Sequence, residues 1–242
     1  MPVSQAEVQL AKIRVKSEWA KEHILQVEGF AAKVRPNVAS LFIDSQGNLS
    51  GPDPTRAFHI HMVCSAGDAI HNLRSALDHL AWHLSHWETG EPSEGCAFPI
   101  ARSLPDYESI KTRKVAGMSP EAQEAIDKLR PYKGGNEPLW MIHYLDIVDK
   151  HRQFFVLPYQ NLLSGIPFPR PGLAGTVTDQ PVHFLGIFAG DLEGEYNSPG
   201  QPTCGDLEIS QMQPLIPALH ELLVFTEDLI QNFKPLLATR KS

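Results

Sequence analysis

The segment GDAIHNLRSALDHLAWHLSHW, residues 67–87, restricts the fold more than any other part of the chain. With about 100° per residue counted from His71, Ile70, Leu73, Ala76, Leu77, Leu80, Ala81, Leu84 and Trp87 fall on one side. His71, Arg74, Ser75, Asp78, His79, Trp82, His83 and His86 fall on the other. So clean a division is the signature of an amphipathic helix, and it predicts one over 64–88. Its polar face departs from the Glu, Lys and Gln of an ordinary solvated face. His79, His83 and His86 stand at i, i+4 and i+7, beside Arg74 and Asp78, which are themselves i, i+4 partners. Imidazoles suit proton transfer near neutral pH, phosphate contact or metal ligation.

A second helix is expected over 137–152, with Pro138 in its first turn. On it His143, Asp146 and Lys150 repeat the i, i+3, i+7 spacing of His71, Arg74 and Asp78. The stripes are complementary in charge, so an antiparallel or crossed pairing is expected to bring Arg74 near Asp146 and Asp78 near Lys150. Asp149, His151 and Arg152 finish that helix, where cations also favour the negative end of the helix dipole.

Around this pair the chain reads as one domain, 1–242. Helices are expected at about 4–30, where Ser4 and Glu7 fit a capping box, at 119–129 after Ser119-Pro120, and at 214–234. Phe58, Ile60 and Met62 alternate with His59 and His61, which reads as a strand over Arg56–Val63 in a hairpin with Val38–Asp44. Further strands are expected at Phe154–Leu157, Val182–Phe188 and Leu207–Ser210. Residues 91–118 read as irregular, with one helical turn near Asp106–Ile110. The expected class is therefore α+β: a mainly helical core with a small antiparallel β-sheet made by insertions at 38–63 and 154–210.

Composition narrows the function classes. A net charge of −7 argues against an extended surface for duplex DNA or an acidic membrane, though a local cationic pocket remains compatible with it. Cys64, Cys96 and Cys204 are widely spaced and form no CxxC pair, as expected of reduced thiols in a cytoplasmic protein. The first residues read as neither a signal peptide nor a membrane anchor, and no apolar run approaches the roughly 18–20 residues that span a bilayer.

The helix GDAIHNLRSALDHLAWHL resembles the Arg-x4–6-His helix of the HEPN superfamily, helical proteins found in many toxin and defence ribonucleases. The resemblance implies a HEPN-like bundle and a metal-independent RNA endonuclease or an inactive relative. RNA and a second copy of the chain would be its partners, and no cofactor would be needed. Arg74 would be the motif arginine, stabilising charge on the phosphoryl oxygens, and His79 the motif histidine, moving a proton. His71, Asp78, His83, His143, Asp146, Asp149, Lys150 and His151 would support them. Arg56 and His61 share the spacing of Arg74 and His79, but on the expected strand. The chain with its LDIVDKHR segment also resembles a group of uncharacterised bacterial and phage proteins.

Two other chemistries stay open. His79 and His83, one turn apart, with His143 as a third ligand, would suit a divalent transition metal in a metal-dependent hydrolase. Alternatively, the cluster is a buried polar network in a non-catalytic interaction or structural protein, in which paired charges set helix register.

Overall fold

The computed structural model describes residues 4–33, 42–43, 49–50, 54–86, 94–151, 154–158, 183–187 and 213–237. The described residues include six helices: α1 (Gln5–Ala31), α2 (Pro54–Leu84), α3 (Leu104–Lys114), α4 (Pro120–Lys128), α5 (Glu137–His151) and α6 (Leu215–Leu237). Their lengths are 27, 31, 11, 9, 15 and 23 residues. The extended segments β1 (Phe42–Ile43), β2 (Leu49–Ser50), β3 (Phe154–Pro158), β4 (His183–Ile187) and β5 (Gln213–Pro214) are two or five residues long. Such short pairings supply no layer for helices to pack on. The chain is helical, and the α+β expectation is corrected accordingly.

The largest single correction lies in α2, which begins at Pro54 and takes in the whole of the expected strand Arg56–Val63. Phe58 and Met62, the ends of the alternating run, are also one helical turn apart, so five residues cannot separate the two periods. Met62 is buried and begins a stripe that continues through Ala66, Ala69, Ile70, Leu73, Ala76, Leu77, Leu80 and Leu84. That stripe keeps the 3.6-residue period. Asp53-Pro54, a capping residue followed by proline at the first helical position, marks the true start in the sequence.

Caps set the other boundaries. Ser103 Oγ accepts from the Asp106 N–H at 3.3 Å, and Pro105 lies in the first turn, so α3 runs for three turns where a single turn is expected from sequence. Ser119 Oγ accepts from the Ala122 N–H at 3.2 Å and starts α4 where Ser-Pro-Glu places it. Asn136 Oδ1 accepts from the Leu139 N–H at 3.1 Å and starts α5. Ser4 Oγ accepts from the Glu7 N–H at 3.2 Å ahead of α1. The expected strand Leu207–Ser210, most of Val38–Asp44, and Trp87 and Arg152 lie outside the described residues.

The chain divides into two compact units, Met1–His23 with Asp68–Ile147 and Leu219–Ser242, and Ile24–Gly67 with Val148–Ala218. In the first, Arg14 donates to Gln231 Oε1 at 2.7 Å and Lys234 pairs with Glu7, which fixes α1 against α6. Buried Leu10, Ile13 and Ala20 of α1 and Leu229, Ile230 and Phe233 of α6 belong to its core. In the second unit, the Phe30 and His61 rings stack at 5.3 Å, and Ser65 Oγ donates to Gln26 Oε1 at 3.3 Å. There Gly67 lets α2 approach α5: a Cβ at this position would lie 2.2 Å from Asp149 Oδ1.

Gly117 closes the turn after α3 with φ +80°, and a Cβ there would meet the Ser85 carbonyl oxygen at 2.6 Å. Both the left-handed conformation and the clash are with backbone, which has little freedom to move. Gly117→Ala is therefore expected to lower unfolding free energy by about 2 kcal/mol or more, measured by urea titration. Wild-type stability in this variant would contradict the close approach.

Candidate functional site

The polar face of α2 separates into two groups. One is built around Arg74, whose relative exposure is only 6%. Its Nη2 donates to Asp78 Oδ1 at 2.9 Å and to the Phe98 carbonyl at 2.9 Å. The same Asp78 oxygen accepts from the Phe98 N–H at 2.9 Å. One residue pair on α2 thus satisfies both backbone groups of Phe98, a fully buried side chain in an irregular segment. This helps residues 96–100 hold a fixed path without secondary structure: the Phe98 backbone finds side-chain partners, and the Ala97 and Ile100 N–H groups donate to the Lys114 and Phe98 carbonyls. Burial lowers the Arg74 pKa, and the charges of Asp78 and then Asp146 act against that shift.

Asp146 of α5, itself buried, holds His71 of α2. Its Oδ1 lies 3.0 Å from His71 Nδ1, with the carboxylate side chain 6% exposed and the imidazole 46%. The two stripes therefore meet, as their complementary charge leads one to expect. The contact differs in detail: Asp146 bonds His71 and acts on Arg74 electrostatically. Asp78 is engaged by Arg74 and Phe98 within the first unit, while Asp149, Lys150 and His151 lie in the second. His143 is half-buried against Trp140, with ring centroids 5.9 Å apart.

The other group consists of His79, Trp82, His83 and His86. Trp82 lies edge-on to His83 at 4.8 Å and to His86 at 4.2 Å, while the two imidazoles stack at 6.0 Å. His86 Nδ1 is 2.8 Å from the Trp82 carbonyl. Lys12 and Lys16 of α1 border this group. Burial lowers the His79 pKa, Lys16 lowers it further and Asp78 opposes. Burial, then His86, Lys12 and His79, push His83 down to about 4. His79 thus answers to α1 and Arg74 to α5. Five residues of helix set them about 140° apart, and the Arg74/His79 pair does not converge on one point from its own helix. Nor does helical context single the pair out, because Arg56 and His61 also lie on α2.

Among the described residues no three His, Cys, Asp or Glu side chains, His79, His83 and His143 included, are gathered as a metal site needs. Sequence reasoning missed the part played by Phe98. Its signal was the apolar Phe-Pro-Ile run at 98–100 directly after a polar loop, the mark of a segment that returns to the core.

Two outcomes test this geometry. Asp78→Ala leaves the buried Arg74 guanidinium without its carboxylate, and a loss of about 2 kcal/mol in urea unfolding is expected, discounted because Asp78 is partly exposed. Unchanged stability would mean that the clamp carries nothing. The folded chain also keeps His83 neutral down to about pH 4, whereas the unfolded chain protonates near the ordinary value of about 6.5. Unfolding therefore takes up a proton between these values. The His83 contribution is complete above pH 6.5 and is lost as pH falls towards 4. After solvent screening it amounts to on the order of 2 kcal/mol. His83→Gln is expected to flatten the stability–pH curve in that window; a curve parallel to wild type would reject the assignment.

No protein-family model, no curated protein and no solved structure matches this chain.

Proposed function

We propose that the protein is a metal-independent RNA endonuclease of the HEPN-like kind, with His71 as the group that moves the proton. The observation that carries this reading is the His71–Asp146 pair: an exposed imidazole held at 3.0 Å by a buried carboxylate. A carboxylate only accepts, so Nδ1–H donates to Asp146 and Nε2 presents its lone pair. A base oriented by a third group in this way is the recurring arrangement of acid–base sites. In the reaction the 2′-oxygen bonds to the adjacent phosphorus and the bond to the 5′-oxygen breaks, which leaves a 2′,3′-cyclic phosphate and a 5′-hydroxyl. His71 Nε2 takes the 2′-hydroxyl proton, and a proton returns to the departing 5′-oxygen. Asp146 stabilises the imidazolium between these steps. Arg74 serves here as a positioning residue, and His79 lies on the α1 side of the same helix.

A second reading, a non-catalytic interaction protein, is favoured by a separate observation. In the Arg74–Asp78–Phe98 clamp Arg74 Nη2, Asp78 Oδ1 and the Phe98 backbone groups bond one another, as in a structural network.

Cleavage of single-stranded RNA in excess EDTA separates the two. Wild type is expected to release cyclic-phosphate ends, with the rate about 100-fold lower in His71→Gln and reduced in Asp146→Asn. His71 is exposed, so its substitution leaves the core intact. An inert wild type, or full activity in His71→Gln, would leave the interaction reading in place.

A further inference from the structure

Three cations surround the segment Gly95–Phe98. Arg113 rests on its first residue: a Cβ at Gly95 would lie 3.0 Å from Arg113 Nη1. The Lys114 backbone carbonyl accepts from the Ala97 N–H at 3.3 Å, and the charge of its ammonium acts on the Cys96 thiol. Arg74 donates to the Phe98 carbonyl at its far end, at 2.9 Å. The Arg74 Nη1 is buried and has no hydrogen-bond partner among the described residues.

The anions nearby are already engaged. Asp78 accepts from Arg74 and from the Phe98 N–H, and Asp146 lies 3.0 Å from His71 Nδ1. The Cys96 thiol supplies no charge, since burial pushes its pKa up. Burial, and then the charge of Arg74, lowers the pKa of Lys114; Asp78 opposes the shift in part, and Arg113 adds to it. Gathering like charges in a partly desolvated place is unfavourable in the empty protein, and a bound anion relieves it. Two guanidinium groups and an ammonium also form the donor set that phosphate oxygens match best.

We infer that Lys114 and Arg113, backed by Arg74, form a seat for a phosphate group against the Gly95–Phe98 segment. If that phosphate belongs to RNA, the seat rests on the proposed endonuclease reading and holds a backbone phosphate near the one attacked. If it is free phosphate, the seat stands without that reading.

The probe is a fluorescent single-stranded 2′-O-methyl oligonucleotide, which lacks the attacking hydroxyl and cannot be cleaved. Its binding is followed by anisotropy against salt for wild type, Lys114→Gln, Arg113→Gln and the double variant. Lys128→Gln serves as control, because Lys128 is exposed and paired with Glu124 on α4. Each seat substitution is expected to weaken binding about three- to tenfold at low salt. Each should also reduce the slope of log K against log salt by about 0.7, with the control unchanged and thermal melts matching wild type. Inorganic phosphate is tested separately, by its protection of Lys114 from amine acetylation. Protection without oligonucleotide binding would keep the seat and make free phosphate its ligand. Oligonucleotide binding that is indifferent to both substitutions would overturn the proposal, as would the absence of binding and protection alike. Intact binding without cleavage of natural RNA would remove the endonuclease reading and leave the seat standing.

Discussion

Burial of the Arg74 guanidinium is the constraint on which the site depends. A charge taken out of water must find compensation nearby, and here it comes from Asp78 on the same helix and the Phe98 carbonyl across from it. The Phe98 N–H in turn needs an acceptor, and Asp78 supplies that as well. Arg74 Nη2, Asp78 Oδ1 and the Phe98 backbone therefore bond one another, and removing any one leaves two in difficulty. The segment leading to α3 is held by these bonds, and the turn at Gly117 brings the chain back against the end of α2. Arg74 also places a positive charge near Asp146, the carboxylate that orients His71.

Much of the helical skeleton was legible in the sequence, because capping residues and a 3.6-residue apolar period act locally. Ser119-Pro120 starts α4 by hydrogen-bond geometry that involves four residues only. The α2 apolar stripe is visible for the same reason. The first turns of α2 were not, since an alternating run of five residues fits a strand and a helix equally well, and tertiary burial of Met62 decides between them. The α+β class rested on that run together with the other expected strands, and the described residues are helical instead.

The candidate site was legible in its ingredients and less so in its grouping. Matched spacing of His71, Arg74 and Asp78 with His143 and Asp146 correctly points to two stripes in contact. Which atoms pair depends on depth: Asp146 bonds His71, while Arg74 is taken up by a backbone carbonyl that carries no side-chain signal. Lys114 and Arg113 escaped notice because residues 91–118 read as irregular beyond a turn near Asp106–Ile110, so the helix that ends on them was not expected. His79 and His83 look like part of one cluster with Arg74 on a wheel, yet Lys16 and Lys12 of α1 act on them.

The division of the chain into units bears on how the molecule is made. The first unit is drawn from three separate stretches, and Glu7 near its start pairs with Lys234 near its end. Closing that contact joins residues 227 positions apart, so its loop-closure entropy falls due only after the last helix has been synthesised. Until then α1 lacks the neighbour that α6 supplies through Gln231 and Lys234. A contact of this sequence separation makes the folding of the unit long-range despite its helical content.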